Sequence, residues 1–348
     1  MSYRRMARKF ARLKEQANLP GKMLPLEPED RYVVFSDHHK GDGSGADDFK
    51  KNAYLYLQAL NYYAQEKFKL IVLGDSEELW ENNIQSILNN YADIIRLEIK
   101  LAPSSARGRK IRIWGNHDKE VTLKNFLAGL NSQQLNFFTH VEYREALSLG
   151  GQIFLIHGHQ GRFFEDKAWR ISRWAVHFIW KSIQKLLNIG IDGPAENPHL
   201  RSQLENDYYR WAKENQTILV CGHTHRAMFA SLSHYHYLLS QKSIMEQKLK
   251  YANLEEKKKI KEKINHLEGE IQRVLKKTSG LPPPDFSANP IPCYFNSGCC
   301  GYTNGLTALE IESEEIRLIK WEKENYYRRI LQAGNLKEII SQTKHQDQ

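Results

Sequence analysis

Four cysteines in 348 residues, Cys221, Cys293, Cys299 and Cys300, are too few for a disulfide framework, and the two that are adjacent are poorly placed for an ordinary bridge. That scarcity fits a reducing cytosol. No apolar run approaches the ~20 residues of a membrane span, and the N-terminus lacks the apolar core of a secretory signal. The expectation is a cytoplasmic chain, at most peripheral to the inner face of a membrane. Positive charge is also missing where a nucleic-acid groove would need it. The formal net charge is +9, but residues 1–22 carry seven Lys or Arg against one Glu, and residues 241–277 carry eleven against six. The body between these appendages is slightly acidic, which argues against nucleic acid as a partner.

What the chain does have is five short blocks of acidic and imidazole residues, each directly after an apolar run. Residues 32–35 precede Asp37-His38-His39, residues 70–73 precede Gly74-Asp75, and residues 111–114 precede Gly115-Asn116-His117-Asp118. Residues 153–156 precede His157-Gly158-His159, and residues 217–220 precede Gly222-His223-Thr224-His225. A single Asp-Gly or His-Gly usually marks a turn. Five in order, each where a buried strand would emerge into a loop, point instead to a site built at strand ends.

The residue types define the chemistry. Carboxylate, amide and imidazole donors without thiolate suit divalent ions such as Mn²⁺, Fe²⁺ or Zn²⁺ and argue against iron–sulfur or soft-metal sites. Two ions about 3.5–4 Å apart need a short bridging carboxylate, and Asp75 is the candidate. Such a pair makes hydroxide available near neutral pH and neutralises phosphoryl oxygens during in-line displacement.

The blocks Asp-x-His, Gly-Asp-x-x-Glu, Gly-Asn-His-Asp, a lone His and Gly-His-x-His resemble those of the calcineurin-like metallophosphoesterases, over roughly residues 31–321. The resemblance implies an α/β fold, a four-layer β-sandwich flanked by helices, acting on a phosphoester substrate. It implies two divalent metal ions, Mn²⁺ ahead of Fe²⁺ or Zn²⁺. The first would be held by Asp37, His39, Asp75 and His225, and the second by Asp75, Asn116, His157 and His223. It also implies that His117 faces the scissile bond as general acid, and Asp118 is expected to fix its tautomer. His38 and His159 are expected to be solvated loop residues or to support the ligands, and Glu78 to play a supporting part. The stretch Gly74-Asp75-Ser76-Glu77-Glu78-Leu79-Trp80 is similar to that of the UDP-2,3-diacylglucosamine hydrolases, which cleave a lipid-linked pyrophosphate. That branch typically has Arg in place of His117 and lacks a long insertion at residues 231–290.

Around the blocks, apolar strand runs alternate with amphipathic stretches at 46–66 and 82–100, as in a layered α/β protein. The basic segment 1–22 sets Tyr3, Met6, Phe10 and Leu13 at helical spacing, which suits either an anionic membrane surface or packing on the body. Residues 160–214 read as a helical lid. Within it Ile171, Trp174, Ala175 and Phe178 share a stripe opposite Arg170 and Arg173. That helix either faces the core or offers Arg170, Arg173 and Trp174 to an amphipathic substrate. Residues 231–290 read as a helical-hairpin or coiled-coil insertion with a seam at Ile260, Ile264, Leu267, Ile271 and Val274, open to homodimer formation. Strands are expected at 306–312 and 315–321, followed by a C-terminal helical tail, 322–348, whose first helix runs from Glu322 to about Leu331. The expected activity is hydrolysis of a phosphodiester or pyrophosphate ester by a metal-bridging hydroxide. A phosphomonoesterase acting on a protein or small metabolite, and a non-catalytic scaffold on the same fold, are the alternatives. The complete ligand set favours catalysis.

Overall fold

Tyr32 and Val34 face one side of β1 (Arg31–Phe35), Val33 and Phe35 face the other, and all four are fully buried. A strand covered on both faces belongs to the middle of a layered structure. The computed structural model describes residues 3–122, 138–160, 198–252, 254–277, 290–301 and 305–344. In it, β1 pairs in parallel with β2 (Lys69–Val72) and antiparallel with β11 (Gly305–Glu312). β12 (Glu315–Glu322) and β13 (Tyr327–Asn335) extend this sheet to the order β13-β12-β11-β1-β2. The second sheet contains β5 (Ala146–Leu149), β6 (Ile153–Ile156), β7 (Ile218–Cys221), β8 (Met228–Phe229), β9 (Leu232–Ser233) and β10 (Tyr294–Asn296), in the order β5-β6-β7-β10-β8-β9. A parallel pair, β3 (Lys110–Ile113) and β4 (Val141–Arg144), joins β2 through a bridge between Leu73 and Ile113.

Between the sheets lies a core that includes Val34, Ile71, Leu155, Val220, Phe295 and Leu309. The outer face of the first sheet is covered by α2 (Ala53–Gln65) and α3 (Ile84–Leu101), which bury Tyr56, Leu60, Ile87 and Ile95 against Val33 and Phe35. α1 (Tyr3–Ala17) and α4 (Pro198–Glu214) cover the outer face of the second sheet. The order helix, sheet, sheet, helix is the expected four-layer α/β sandwich.

One open choice is decided and two expectations change. The apolar stripe of the basic N-terminal segment is not offered to a membrane: Met6, Phe10, Leu13 and Ala17 are buried, and the Phe10 ring lies 5.3 Å from Trp211 and 6.4 Å from Phe154. The part of the supposed lid at 198–214 is the helix α4, whose Leu204, Tyr208, Trp211 and Ala212 join the same core. The helix expected from Glu322 to Leu331 is instead the turn into β13 and most of that strand. Pairing along the whole of β12, with Arg328 on the buried Glu310 carboxylate, outweighs local helix propensity. A helix, α7, follows at Leu336–Lys344. Between β9 and β10, α5 (His234–Tyr251) and α6 (Leu254–Lys277) pack through Leu238, Met245, Leu267 and Ile271. Arg170, Arg173 and Trp174, with the rest of the stretch 161–197, lie outside the described residues. No helix among the described residues is long and apolar enough to cross a membrane.

Candidate metal centre

β1, β2, β3, β6 and β7 run in parallel pairs, so their C-terminal ends, and all five blocks, come to one edge of the sandwich. The loops there are held in unusual backbone conformations. Asp37 (φ 53°), His39 (φ 51°), Asp75 (φ 50°), His223 (φ 67°) and His225 (φ 55°) all adopt the left-handed region. For non-glycine residues this costs energy, and its concentration in one place marks a site whose geometry matters. A short backbone ladder holds the first two loops together: Asp37 N donates to Gly74 O (3.1 Å), His39 N to Asp75 O (3.0 Å) and Lys40 N to Ser76 O (3.0 Å). Close approach explains the motif glycines. A Cβ on Gly115 would overlap Asp75 Oδ1, and one on Gly222 would stand 2.6 Å from Asp37 Oδ2.

The donor atoms form two groups, and a third, His39, Asp75 and His117, overlaps both. Asp37, His39 and His225 each place a ligand atom within 4.8 Å of the others, and so do Asp75, His157 and His223. Asp75 Oδ2 is 3.1 Å from His157 Nε2 and 3.9 Å from His39 Nε2, so it reaches both groups. His225 Nε2 is 3.1 Å from Asp37 Oδ1. His157 Nδ1 bonds Leu73 O at 2.8 Å, which turns Nε2 toward the carboxylates. Asn116 Oδ1 is buried and has no hydrogen-bond partner among the described residues. An orphaned carbonyl oxygen beside two carboxylates and four imidazoles fits divalent cations, and the donor set contains no thiolate.

Neighbouring carboxylates and imidazoles shift one another's protonation within the centre. Burial pushes the His157 imidazole down, but the charge and hydrogen bond of Asp75, with Asp37 behind it, raise it to about 10. His117 behaves alike: burial lowers it, while Glu78 and Asp75 bring it up to about 9. Glu78 itself, raised by burial, is drawn down to about 2 by His117 and His39. A proton held by the His157 imidazole would have to leave when a metal ion binds there.

His117 is positioned by a residue that its motif does not contain. Its Nδ1 is 2.8 Å from Glu78 Oε1, and Glu78 Oε2 is 2.8 Å from His39 Nδ1. Trp80 stacks on the His117 ring, centroids 4.0 Å apart, and donates its indole N–H to Asn116 O at 2.9 Å. The expectation that Asp118 fixes the His117 tautomer is therefore corrected. The Asp118 carboxylate accepts from Gly115 N (2.6 Å) and Ser76 N (2.7 Å), clamping two ligand loops. Burial, with Asp75 and Glu77 adding to it, raises that carboxyl to about 7 despite these bonds. Geometry decides between the two acids: Glu78 points at the imidazole because it follows Asp75 by three residues on the adjoining loop.

His38 and His159 are not solvated either. The His38 ring is fully buried 4.7 Å from Tyr56 and 5.9 Å from Phe49, and His159 is buried 5.3 Å from Trp114. Asn296, visible in sequence only as part of a turn, donates to Gly222 O at 2.7 Å and to Thr224 Oγ1 at 3.2 Å, supporting the last ligand loop. All four cysteines are buried, and no disulfide joins them among the described residues.

Among curated proteins none matches this chain. A family model, calcineurin-like phosphoesterase, matches residues 31–227, the span from the first residue of β1 to just beyond His225. The chain belongs to the calcineurin-like phosphoesterase family and is a metal-dependent phosphoric ester hydrolase.

Proposed function

We propose that the protein is a dinuclear phosphodiesterase, hydrolysing a phosphodiester or pyrophosphate ester. The observation that supports this reading above all is the Asp75 carboxylate, within 4 Å of imidazoles from both donor groups. In this reading Asp37, His39, Asp75 and His225 hold one ion, and Asp75, Asn116, His157 and His223 hold the other. When bound, the ions supply an acidified water and positive charge for the phosphoryl oxygens, Mn²⁺ being the first choice.

The chain's own groups do the rest. Glu78, on Nδ1 of His117, leaves Nε2 as the nitrogen that carries a proton to the departing alkoxide. Trp80 limits rotation of that ring, so the proton arrives from one direction. The half-buried Trp80 also offers an aromatic surface beside the acid, suited to a leaving group with an apolar or planar part. The amphipathic, lipid-linked version of the substrate and contact with an anionic membrane rest on Arg170, Arg173 and Trp174, and on their sequence alone.

Purified protein with Mn²⁺ should hydrolyse an aryl phosphodiester, and Asp75→Asn should abolish the activity. The panel should include an aryl phosphomonoester, a lipid-linked pyrophosphate and single-stranded nucleic acid. Preference for the monoester would overturn the diester assignment. Protein that binds two ions yet turns over none of these would overturn the enzymatic reading of the centre.

A further inference from the structure

Behind the ligand loops lies a cluster of four charged side chains with almost no exposure: Lys40 and Glu98 at 0 %, Glu77 at 1 % and Arg112 at 2 %. Two positive and two negative groups make it neutral. Lys40 Nζ is 2.9 Å from Glu98 Oε1 and 3.6 Å from Glu77 Oε1. Arg112 Nη2 reaches Glu77 Oε1 at 2.9 Å, Glu98 Oε2 at 3.3 Å and Ser76 Oγ at 2.6 Å. Tyr56 donates its hydroxyl to Glu98 Oε1 at 3.0 Å.

The positions of these residues matter as much as the bonds. Lys40 follows His39 directly, Glu77 lies two residues after Asp75, and Arg112 lies four residues before Asn116. Glu98 comes from α3, across the outer face of the sheet. Each of three ligand-bearing segments therefore sends one charge into a common knot, anchored by a helix that carries no ligand. Burying four charges is expensive, and well-packed apolar residues are often at least as stable in such places. What ionic contacts supply is fixed distance and direction between segments.

We infer that Lys40, Glu77, Glu98 and Arg112 form an ionic clamp that positions the first three ligand loops and so sets the affinity of the centre for its ions. These are positioning residues: none of them is a proposed ligand, and each acts through the loop or strand that carries one. The inference builds on the metal reading of the centre, and metal binding tests it separately from turnover. In Mn²⁺ titrations of the full chain followed by calorimetry, Glu98→Gln and Lys40→Met should weaken binding 10- to 100-fold, the usual effect of losing a group that orients ligands. Arg112→Lys keeps the charge but loses the fork of the guanidinium, and it should still weaken Mn²⁺ binding about 10-fold. With bis(p-nitrophenyl) phosphate as probe, kcat should fall in parallel while KM stays within about twofold.

The double variant Lys40→Met/Glu98→Gln, which leaves one opposite pair, should recover most of the Tm lost by either single change without recovering Mn²⁺ affinity. Recovery of affinity together with Tm would overturn the clamp and leave the cluster a matter of stability. So would single variants that bind Mn²⁺ like the wild type. If wild-type protein binds Mn²⁺ without turnover, the phosphoesterase assignment falls, while the titrations still decide the clamp.

Discussion

The strand ends that carry the ligands and the β11–β12–β13 meander belong to the same sandwich, yet they are built on opposite terms. At the ligand end, five non-glycine residues sit at positive φ, and carboxylates, imidazoles and an amide are buried side by side. In the meander, eight- and nine-residue strands pair antiparallel with one register shift between Leu318 and Ile319, and Leu306, Ala308, Leu309, Ile311, Ile316, Leu318 and Ile319 are buried. Its main buried charge, Glu310, is covered by Arg328 at 2.7 Å, Arg317 at 3.5 Å and the Tyr63 hydroxyl at 2.9 Å. One region stores strain and electrostatic tension to receive cations. The other supplies apolar burial to hold that strain in place.

Predictions follow the same division. Removal of divalent ions with a chelator should eliminate activity altogether and lower Tm by several degrees, since ions that bind the folded state stabilise it; readdition of Mn²⁺ should restore both. If Tm did not respond, the ligand end would not be under the tension described. Leu318→Ala, at a fully buried position of the meander, should cost about 2–5 kcal/mol in a denaturant titration while leaving kcat unchanged under folding conditions. A kcat loss there would mean that the two regions are not separable.

The reverse pattern is expected for Glu78→Gln. It should lower kcat roughly 100-fold, a loss within the range for general acid catalysis, and shift Tm little, because the glutamine still fits between His39 and His117. A large fall in Tm without loss of kcat would assign Glu78 to folding instead. Smallest of all should be Ile330→Thr on the edge strand. Ile330 is 49 % exposed, so the change should stay within about 0.5 kcal/mol and leave activity intact.

Much of this arrangement can be read along the chain. The apolar runs before Asp37, Asp75, Asn116, His157 and His223 mark β1, β2, β3, β6 and β7, and the blocks after them name every proposed ligand. Strand periodicity and metal-ligand chemistry are local properties, carried by a few consecutive side chains. The strand β13 is different. Glu322 to Leu331 is rich in Glu, Lys, Arg and Tyr, and its extended form depends on hydrogen bonds to β12 and on Glu310, which lies eighteen residues before Arg328.

The role of Glu78 was equally out of reach, because Asp118 is the nearer neighbour of His117 in sequence and the wrong one in space. The basic N-terminal helix shows the same limit. Its apolar stripe was legible, but whether that stripe would meet lipid or Phe154, Tyr208 and Trp211 was not. Residue identity and short-range pattern were enough to specify the chemistry, the ligand candidates and the layered α/β architecture. The partner of His117, the docking of α1 and the charge cluster behind the loops rest on contacts between segments far apart in the chain. Such contacts are selected by packing and charge pairing in the folded state, and no local spacing records them.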